Sequence, residues 1–159
     1  MGISIEAIDE QNRPTVREWI ATWPADYIIS RRRSLRPGDL EGFVAFDDND
    51  QLVGLLTYEI IGDQCEVVTL DALTQWAGIG TQLMNRAVAT ARESGCKRLW
   101  LITTNDNTPA IRFYQRRGLT IAAVHVNAIE YSRSIKPEIP KIGLFGIPIR
   151  DEIEFEMRL

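Results

Sequence analysis

Gln75-Trp76-Ala77-Gly78-Ile79-Gly80-Thr81 is the segment from which the architecture of this 159-residue chain can be worked out. It follows a strand-like run from Cys65 to Leu73 and opens a helix-like run. Glycine has no Cβ and lets the backbone approach an anion closely, while the unsatisfied N–H groups at a helix N-terminus attract negative charge. The segment therefore predicts a phosphate-binding turn between a strand and a helix.

The glycine pair of this turn, Gly78 and Gly80, does not match the two best-known phosphate loops. The third glycine of the dinucleotide fingerprint is missing, and no Gly-Lys-Ser/Thr sequence closes a nucleoside triphosphate loop. NAD and ATP are therefore not favoured as ligands. On the glycine pair by itself, an ordinary strand-to-helix turn remains an alternative.

The residues after the turn continue as alternating helices and strands. Apolar residues recur at helical spacing from Thr81 to Ser94, and Gly95 stops the run. Leu99–Ile102 is typical of a central strand, and the segment 107–119 has Pro near a helix start and Gly just past its end. Turn, helix, strand and second helix thus form one continuous unit.

Two motifs in this unit resemble the GNAT superfamily of N-acetyltransferases. The turn resembles the Q/R-x-x-G-x-G/A motif, and the segment 107–119 resembles the N-x-x-A-x-x-F-Y-x-x-x-G-F/L motif through Asn107, Ala110, Phe113, Tyr114 and Gly118. The resemblance implies that residues 1–159 form a single acetyl-CoA-dependent N-acetyltransferase domain. It also implies an α/β fold with a mixed, mostly antiparallel sheet flanked by helices on both faces.

The resemblance further implies which residues bind acetyl-CoA, the co-substrate. The strand before the turn would supply a backbone N–H to the thioester carbonyl from around Leu70, and Asn107 would contact the pantetheine amides or cap the following helix. Trp76 and Ala77 stand where relatives often carry Arg, Gly or Lys, so phosphate binding would rest on backbone amides. The full predicted set is Leu70, Gln75, Trp76, Ala77, Gly78, Ile79, Gly80, Thr81, Asn107, Ala110 and Tyr114.

Two side chains are candidates for the chemistry of transfer. Glu66 lies between Cys65 and Val67, where many relatives carry a catalytic glutamate, and burial in an apolar strand would raise its pKa toward that of a useful base. An exposed or salt-bridged Glu66 without catalytic duty is the alternative. Tyr114 would protonate or hydrogen-bond the departing thiolate, although a tyrosine on such a helix can also be a core residue with a wet end.

Each candidate on the acceptor side has an alternative interpretation. Arg31, Arg32, Arg33 and Arg36 form an arginine cluster, of which one or two members, with Arg31 and Arg33 as the candidates, could hold a carboxylate or phosphate of the substrate; the alternative is a solvated charge run. His125, the single histidine, is either an ordinary strand residue or a second base near the acceptor. The Pro- and Gly-rich but apolar segment 139–148 is a candidate substrate lid or a packed surface loop.

Composition limits the class of protein. The net charge of −4 argues against a general nucleic-acid surface, and the chain lacks both an apolar run long enough to cross a bilayer and a basic stretch followed by a signal core. We therefore expect a cytoplasmic protein that binds neither nucleic acid nor membrane. Cys65 and Cys96 have neither ligand spacing nor a neighbouring His, so we expect buried thiols and no metal.

The rest of the chain fits the same plan. Strand patterns are predicted at residues 3–8, 42–46, 52–61 and 120–126 and at the C-terminus, with a helix from Asn12 to about Trp23. We expect an N-acetyltransferase that acts by direct attack of a small-molecule or amino-acid-like amine, and possible homodimerisation. The alternatives are a protein N-terminal or lysine acetyltransferase, and a non-catalytic acyl-CoA-binding regulatory module.

Overall fold

The computed structural model describes residues 2–73 and 78–159, and these residues fall into two compact units. Within the described residues, the first unit comprises the chain up to Ile28, the part from Leu35 to Leu99, and Leu159. The second unit comprises Ile29–Ser34 and Trp100–Arg158. The expectation of a single domain remains a prediction.

The regular elements are nine strands and four α-helices in the described part of the chain. The strands are β1 (Ser4–Ala7), β2 (Ile28–Ser30), β3 (Arg33–Leu35), β4 (Glu41–Phe46), β5 (Leu52–Ile61), β6 (Gln64–Ala72), β7 (Arg98–Thr104), β8 (Thr120–His125) and β9 (Glu152–Arg158). The helices are α1 (Arg13–Ile20), α2 (Ile79–Glu93), α3 (Thr108–Arg116) and α4 (Ala128–Ile135).

The first unit is built on an antiparallel meander of β4, β5 and β6, with β1 paired antiparallel to β4. Helix α2 packs closely on β5 at Gly54, where a Cβ would lie 2.6 Å from Ile79 Cγ2. Apolar side chains of α1 and the meander form a buried cluster of Val16, Ile20, Val44 and Leu55. Glycine at position 54 therefore lets α2 begin against the sheet, which sets the position of the helix N-terminus.

The second unit contains the antiparallel pair β8–β9 and the helices α3 and α4. Helix α3 packs through Tyr114, its one buried residue, whose ring lies 5.6 Å from the ring of Phe155 on β9. Strands β2 and β3 form a hairpin whose tip, Arg31 and Arg32, belongs to this unit. In the second unit, α3 thus packs on β9 through the apolar contact of Tyr114 with Phe155, and the hairpin presents two arginines at its tip.

The sequence patterns located most of these elements. The bounds of β5 and the start of β9 are as predicted, and α2 ends where Gly95 adopts a positive φ of 79°. Helix α1 ends at Ile20 rather than near Trp23, because the residues up to Trp23 close turns onto Trp19 and Ile20. Two elements were missed, the β2–β3 hairpin and helix α4, because neither has the length that makes periodicity visible.

The prediction of a mostly antiparallel sheet is confirmed by the strand pairs within each unit. No helix within residues 2–73 and 78–159 combines the length and the apolar character that crossing a membrane requires.

Candidate functional site

Strand β6 carries the predicted base in a buried position. The side chain of Glu66 is 4% exposed and lies between the buried residues Cys65 and Val67. Its register partner on the neighbouring strand β5 is Glu59. The alternative of an exposed Glu66 is therefore wrong, whereas the salt-bridged alternative stays open and the service of Glu66 as a base remains a prediction.

A β-bulge interrupts the pairing of β6 with β5 two residues after Glu66. Thr57 is opposite Thr69 and Tyr58 is opposite Val67, so Val68 has no directly opposite residue on β5. The hydroxyls of Thr57 and Thr69, both buried, lie 2.7 Å apart beside the bulge. Bulges bend a strand and redirect its backbone groups, and they are frequent next to active sites.

Leu70, the predicted source of a backbone donor, follows this bulge and is opposite Leu56 on β5. Gln75, Trp76 and Ala77, which were predicted to bind the coenzyme, lie outside the described residues. The structural account of the turn therefore begins again at Gly78.

The N-terminus of α2 has the backbone geometry that an anion site requires. Gly78 precedes the helix with a left-handed φ of 69°, and the first helical hydrogen bond runs from Gln82 N–H to its carbonyl. The N–H groups of Ile79, Gly80 and Thr81 lie in the first turn, ahead of that bond, where a helix presents its N–H groups to an anion. Among the described residues, and apart from Gly78 itself and its chain neighbours, no heavy atom lies within 4 Å of the position that a Cβ of Gly78 would take. This end of α2 thus fits a phosphate group, which its N–H groups and its dipole would hold.

Helix α3 begins at a capped residue of the second motif. Asn107 Oδ1 accepts a hydrogen bond of 3.3 Å from Ala110 N–H, so the capping role that was left open for Asn107 is present. Ala110 is partly buried in the first turn. Contacts of Asn107 and Ala110 with the coenzyme remain predictions.

Tyr114 differs from the expectation of a residue with a wet end, because it is the most buried residue of α3. It is 9% exposed, and its ring lies 5.6 Å from both Phe113 and Phe155. Phe113 is only partly buried and carries the Arg117 guanidinium 4.5 Å above its ring. Burial raises the pKa of Tyr114 to about 12, so its hydroxyl stays protonated at neutral pH and can act as a proton donor.

The two cysteines are buried, as predicted. Burial raises the pKa of the Cys65 thiol to about 12, with smaller contributions from Cys96 and Glu66. Burial also raises the pKa of Cys96, and Asp63 adds to the shift. Since the thiolate is the nucleophilic form, neither cysteine has the character of an acyl-accepting nucleophile.

The tip of the β2–β3 hairpin holds two arginines in strained backbone conformations. Arg31 has a φ of 46° and Arg32 a φ of 69°. Tight hairpin turns that need positive φ favour Asn-Gly, since a larger side chain in the left-handed region costs roughly 1–2 kcal/mol per residue. Arginine has no intrinsic preference for this region, so both positions carry backbone strain that the surrounding structure has to hold in place.

Both arginine side chains have defined contacts in the second unit. Arg31 Nη1 lies 2.8 Å from Glu152 Oε1, and its backbone N–H donates to Glu152 Oε2 at 3.3 Å. Glu152 is 1% exposed, so Arg31 balances a buried carboxylate on β9. Arg32 places its guanidinium carbon 4.6 Å from the centre of the Tyr131 ring on α4.

These contacts surround a cavity of about 310 Å³ within the second unit. Its lining comes from the hairpin tip, the end of β8, the start of α4 and the first residue of β9: Arg31, Arg32, His125, Val126, Asn127, Ala128, Tyr131 and Glu152. Two predicted acceptor-side residues, Arg31 and His125, therefore share one cavity. The third, Arg33, lies on β3 and is not part of the lining.

His125 has a carboxylate partner on β9. Its Nε2 atom lies 2.8 Å from Glu154 Oε1, and both side chains are largely buried. Glu154 and Glu152 project from the same face of β9, because side chains two residues apart in a strand share a face. The reading of His125 as an ordinary partly buried residue and its reading as a second base both remain open.

Of the eight residues that line this cavity, sequence reasoning proposed Arg31 and His125 as site residues and did not single out the other six. Glu152 was assigned only to the alternation of the last strand, Tyr131 was not considered, and Arg32 entered only as a member of the arginine cluster. Asn127, also in the lining, has a positive φ of 61° and donates its N–H to Asp151. The one available sequence signal was the run of three arginines.

The segment proposed as a lid packs on the loop between β7 and α3. The buried Asp106 accepts hydrogen bonds from Thr104 Oγ1 at 2.6 Å and from Leu144 N–H at 2.9 Å. Asn105 donates to the Pro148 carbonyl at 2.9 Å. None of the residues 139–148 lines the 310 Å³ cavity. With respect to that cavity, the segment is therefore a packed surface loop and not a lid.

Residues 2–73 and 78–159 contain no group of three or more His, Cys, Asp or Glu side chains arranged to hold a metal ion. The groups considered for the chemistry of the site are its backbone N–H groups, its carboxylates, its tyrosine and its arginines.

Comparison with known proteins identifies the family. Residues 6–119 match the model of the acetyltransferase (GNAT) family. Protein YdhI of Bacillus subtilis (strain 168) is 47% identical over 120 residues, which cover 76% of this chain and 75% of that protein. Streptothricin acetyltransferase of Streptomyces lavendulae is 33% identical over 89 residues, 55% of this chain and 42% of that protein.

Solved structures share the fold. The IAA acetyltransferase from Bacillus cereus ATCC 14579 superposes with a TM-score of 0.72 at 22% identity, over 99% of this chain and 100% of that one. The predicted fold class, a mixed α/β fold of this family with a mostly antiparallel sheet, is thereby confirmed.

Proposed function

This chain belongs to the acetyltransferase (GNAT) family and is an acetyl-CoA-dependent acyltransferase, and from this premise we propose that it acetylates the amine of a small molecule by direct attack. The observation that carries the choice of acceptor is the 310 Å³ cavity with its charged lining. A volume of about ten water molecules suits a compound of amino-acid size better than an extended peptide. A small acceptor is also supported by the name of the streptothricin acetyltransferase relative.

The coenzyme binds at the strand-to-helix turn of the first unit. The N–H groups of Ile79, Gly80 and Thr81 hold its pyrophosphate, and Gly78 supplies the left-handed backbone that presents them. Because glycine has no side chain to interpose, the backbone does the binding at this point. Gln75, Trp76 and Ala77 complete the proposed site.

The amine must lose a proton before it can attack the thioester. An alkylammonium has a pKa of about 10, so a base is needed at neutral pH. Glu66 is the proposed base, and its burial on β6 keeps its carboxylate from full hydration. A backbone N–H from around Leu70, after the bulge of β6, stabilises the negative charge on the carbonyl oxygen.

Transfer is direct, without a covalent enzyme intermediate. The amine nitrogen forms a bond to the acetyl carbon, the bond from that carbon to sulfur breaks, and the thiolate takes a proton from Tyr114. The nitrogen releases its second proton to solvent as the amide forms, and solvent reprotonates the Tyr114 phenolate. The raised pKa of the Tyr114 hydroxyl keeps this proton in place at neutral pH. The raised pKa values of Cys65 and Cys96 argue against an acetylated cysteine.

The proposal is tested by following thiol release from acetyl-CoA with a panel of small amines, peptides and intact proteins as acceptors. We expect release with small amines and saturable one-site binding of acetyl-CoA by calorimetry. Glu66→Gln and Tyr114→Phe should lower kcat and leave the dissociation constant of acetyl-CoA unchanged. Efficient acetylation of peptides or proteins with no small amine accepted would overturn the choice of acceptor. Unchanged rates in both variants would overturn the assigned chemistry.

A further inference from the structure

We propose that Arg32 binds a carboxylate of the acceptor, so that the preferred acceptors are amines that also carry a carboxylate group. This inference rests on the proposed function and names the class of its substrate. It concerns Arg32, which the motifs do not assign and which the arginine-cluster hypothesis did not single out from its neighbours.

Backbone strain in the described chain is concentrated around the cavity. Five described non-glycine residues have a positive φ, and three of them, Arg31, Arg32 and Asn127, line this one cavity. Strained conformations persist where the surrounding structure has a use for the side chains that they present. Asparagine tolerates the left-handed region, but arginine has no such local preference. The two arginines are therefore the residues whose positions need a functional explanation.

The two arginines are not equivalent. Arg31 binds both oxygens of Glu152, one through its guanidinium and one through its backbone N–H. Its charge is balanced by a carboxylate that is almost fully buried, so its role is to fix the hairpin tip onto β9. A ligand carboxylate would have to compete with Glu152 for Arg31.

Arg32 is held in place but keeps its hydrogen-bonding capacity. Its guanidinium contacts the ring of Tyr131, and a cation–π contact uses the charge without using N–H donors. Within residues 2–73 and 78–159, no hydrogen bond or ion pair engages this guanidinium. The contact with Tyr131 limits the rotamers of the side chain, which lowers the entropy lost when a ligand binds.

The charge of the cavity selects the ligand. Its lining has two arginines against one glutamate, an excess of one positive charge before His125 is counted, although the whole chain has a net charge of −4. Such a site attracts an anion and repels an acceptor with several positive charges. A guanidinium presents paired N–H donors in a plane that matches a carboxylate, so a carboxylate can bind to Arg32 in a bidentate manner.

The test compares pairs of acceptors that differ only in the proposed group. Thiol release from acetyl-CoA is measured with free L-amino acids and with the corresponding amino-acid amides. We expect kcat/KM for the acids to exceed that for the amides by about 30-fold, because a charge-assisted hydrogen bond is lost in the amides. In Arg32→Gln this preference should fall to near unity through a higher KM for the acids. Arg32→Lys, which keeps the charge but not the planar fork, should retain an intermediate preference.

A matched control is Arg36→Gln. Arg36 is also an exposed arginine in the same part of the chain, but it pairs with Asp26 and does not line this cavity. It should keep the preference for acids. Equal kcat/KM for acids and amides in the parent protein, or an unchanged preference in Arg32→Gln, would overturn the inference while leaving acetyl transfer itself intact.

A binding experiment distinguishes failure of this inference from failure of the proposed function. N-acetyl amino acids and their amides are titrated into the protein in the presence of coenzyme A. If no amine is acetylated but the acids still bind the parent protein and not Arg32→Gln, the proposed function fails and the carboxylate site stands. If neither rates nor binding distinguish acids from amides, the carboxylate site is refuted. A higher kcat/KM for phosphoethanolamine than for β-alanine would refute the assignment to a carboxylate and identify a phosphate site.

Discussion

Among the turns that place residues in the left-handed region of the backbone, two differ in which group they present. Gly78 reaches a φ of 69° before α2, and Arg32 reaches a φ of 69° at the tip of the β2–β3 hairpin. At Gly78 the missing side chain exposes backbone N–H groups to a ligand. At Arg32 the side chain itself is presented, and the backbone bears the strain. Under the proposed function, glycine serves at the turn where the backbone binds, whereas the strained arginine serves at the turn where a side chain binds.

Under the proposed function, the two turns also divide the reaction. The glycine turn and strand β6 hold the coenzyme and the base, so changes there should affect every acceptor alike. The arginine turn lines the acceptor cavity, so changes there should depend on which acceptor is offered. Substitutions on either side can break this division.

The largest expected effect lies on the glycine-turn side, at Glu66. Glu66→Gln should lower kcat by about 100-fold or more, because removal of a general base costs roughly 10²–10⁴-fold. The loss should be the same for every acceptor, and acetyl-CoA binding by calorimetry should not change. Glu59→Gln, its register partner on β5, is the control and should retain most of the activity. A loss that varies with the acceptor would place Glu66 on the selecting side.

Tyr114 adds a third kind of site residue to the comparison. Its side chain is prepared for its proposed role as a proton donor by burial and not by an unusual backbone conformation. Its pKa in the folded state, about 12, lies above the ordinary value of 10.0. The neutral hydroxyl is therefore favoured by folding. The resulting contribution of Tyr114 to the free energy of unfolding amounts to roughly 2–3 kcal/mol. It is fully present below pH 10 and is lost as the pH rises through 12.

Urea unfolding of the parent protein and of Tyr114→Phe between about pH 9 and 12 measures this contribution. The free energy of unfolding should fall less steeply with pH in the variant, because one group that resists ionisation has been removed. Identical slopes for the two proteins would show that the hydroxyl is less buried than the contact with Phe155 indicates.

The arginine turn depends on the ion pair between Arg31 and Glu152. A double-mutant cycle with Arg31→Gln and Glu152→Gln should give a coupling free energy of about 1–2 kcal/mol, which allows for the partial exposure of Arg31. The control pair is Arg36 and Asp26, whose side chains are both more than half exposed. Its coupling should not exceed about 0.5 kcal/mol. Equal coupling in the two pairs would mean that Glu152 does not fix the hairpin tip.

The smallest expected effect is on coenzyme affinity at the glycine turn. Gly78→Val should weaken acetyl-CoA binding by about tenfold, because a β-branched residue disfavours the positive φ that presents the N–H groups of α2. Gly62→Val is matched to it, since Gly62 also has a φ of 60° and no described atom within 4 Å of the position that its Cβ would take. Gly62→Val should share the loss of stability but keep the affinity. If both variants bind acetyl-CoA normally, the turn is not the phosphate site.

Elements that depend on interactions within a few residues could be located from the sequence, whereas features that depend on contacts between distant residues could not. Strand β5 and the end of α2 were located well, because hydrophobic alternation and the conformational freedom of Gly95 act within a few residues. The β2–β3 hairpin was missed, since its strands have three residues each and its turn contains no glycine, asparagine or proline. The sequence left open how deeply Tyr114 is buried, because its burial depends on Phe155, which is distant in sequence.

The sequence by itself determined the family, the strand-to-helix turn and the candidate base, because each depends on neighbouring residues whose backbone preferences and motif spacing can be read directly. Only the tertiary structure decided which residues form the 310 Å³ cavity that is proposed to hold the acceptor. Arg31, His125 and Glu152 come from three distant segments, and Glu152 became a partner of Arg31 only through its burial at the start of β9. A buried carboxylate requires a counter-charge, and which cation reaches it depends on how the chain packs.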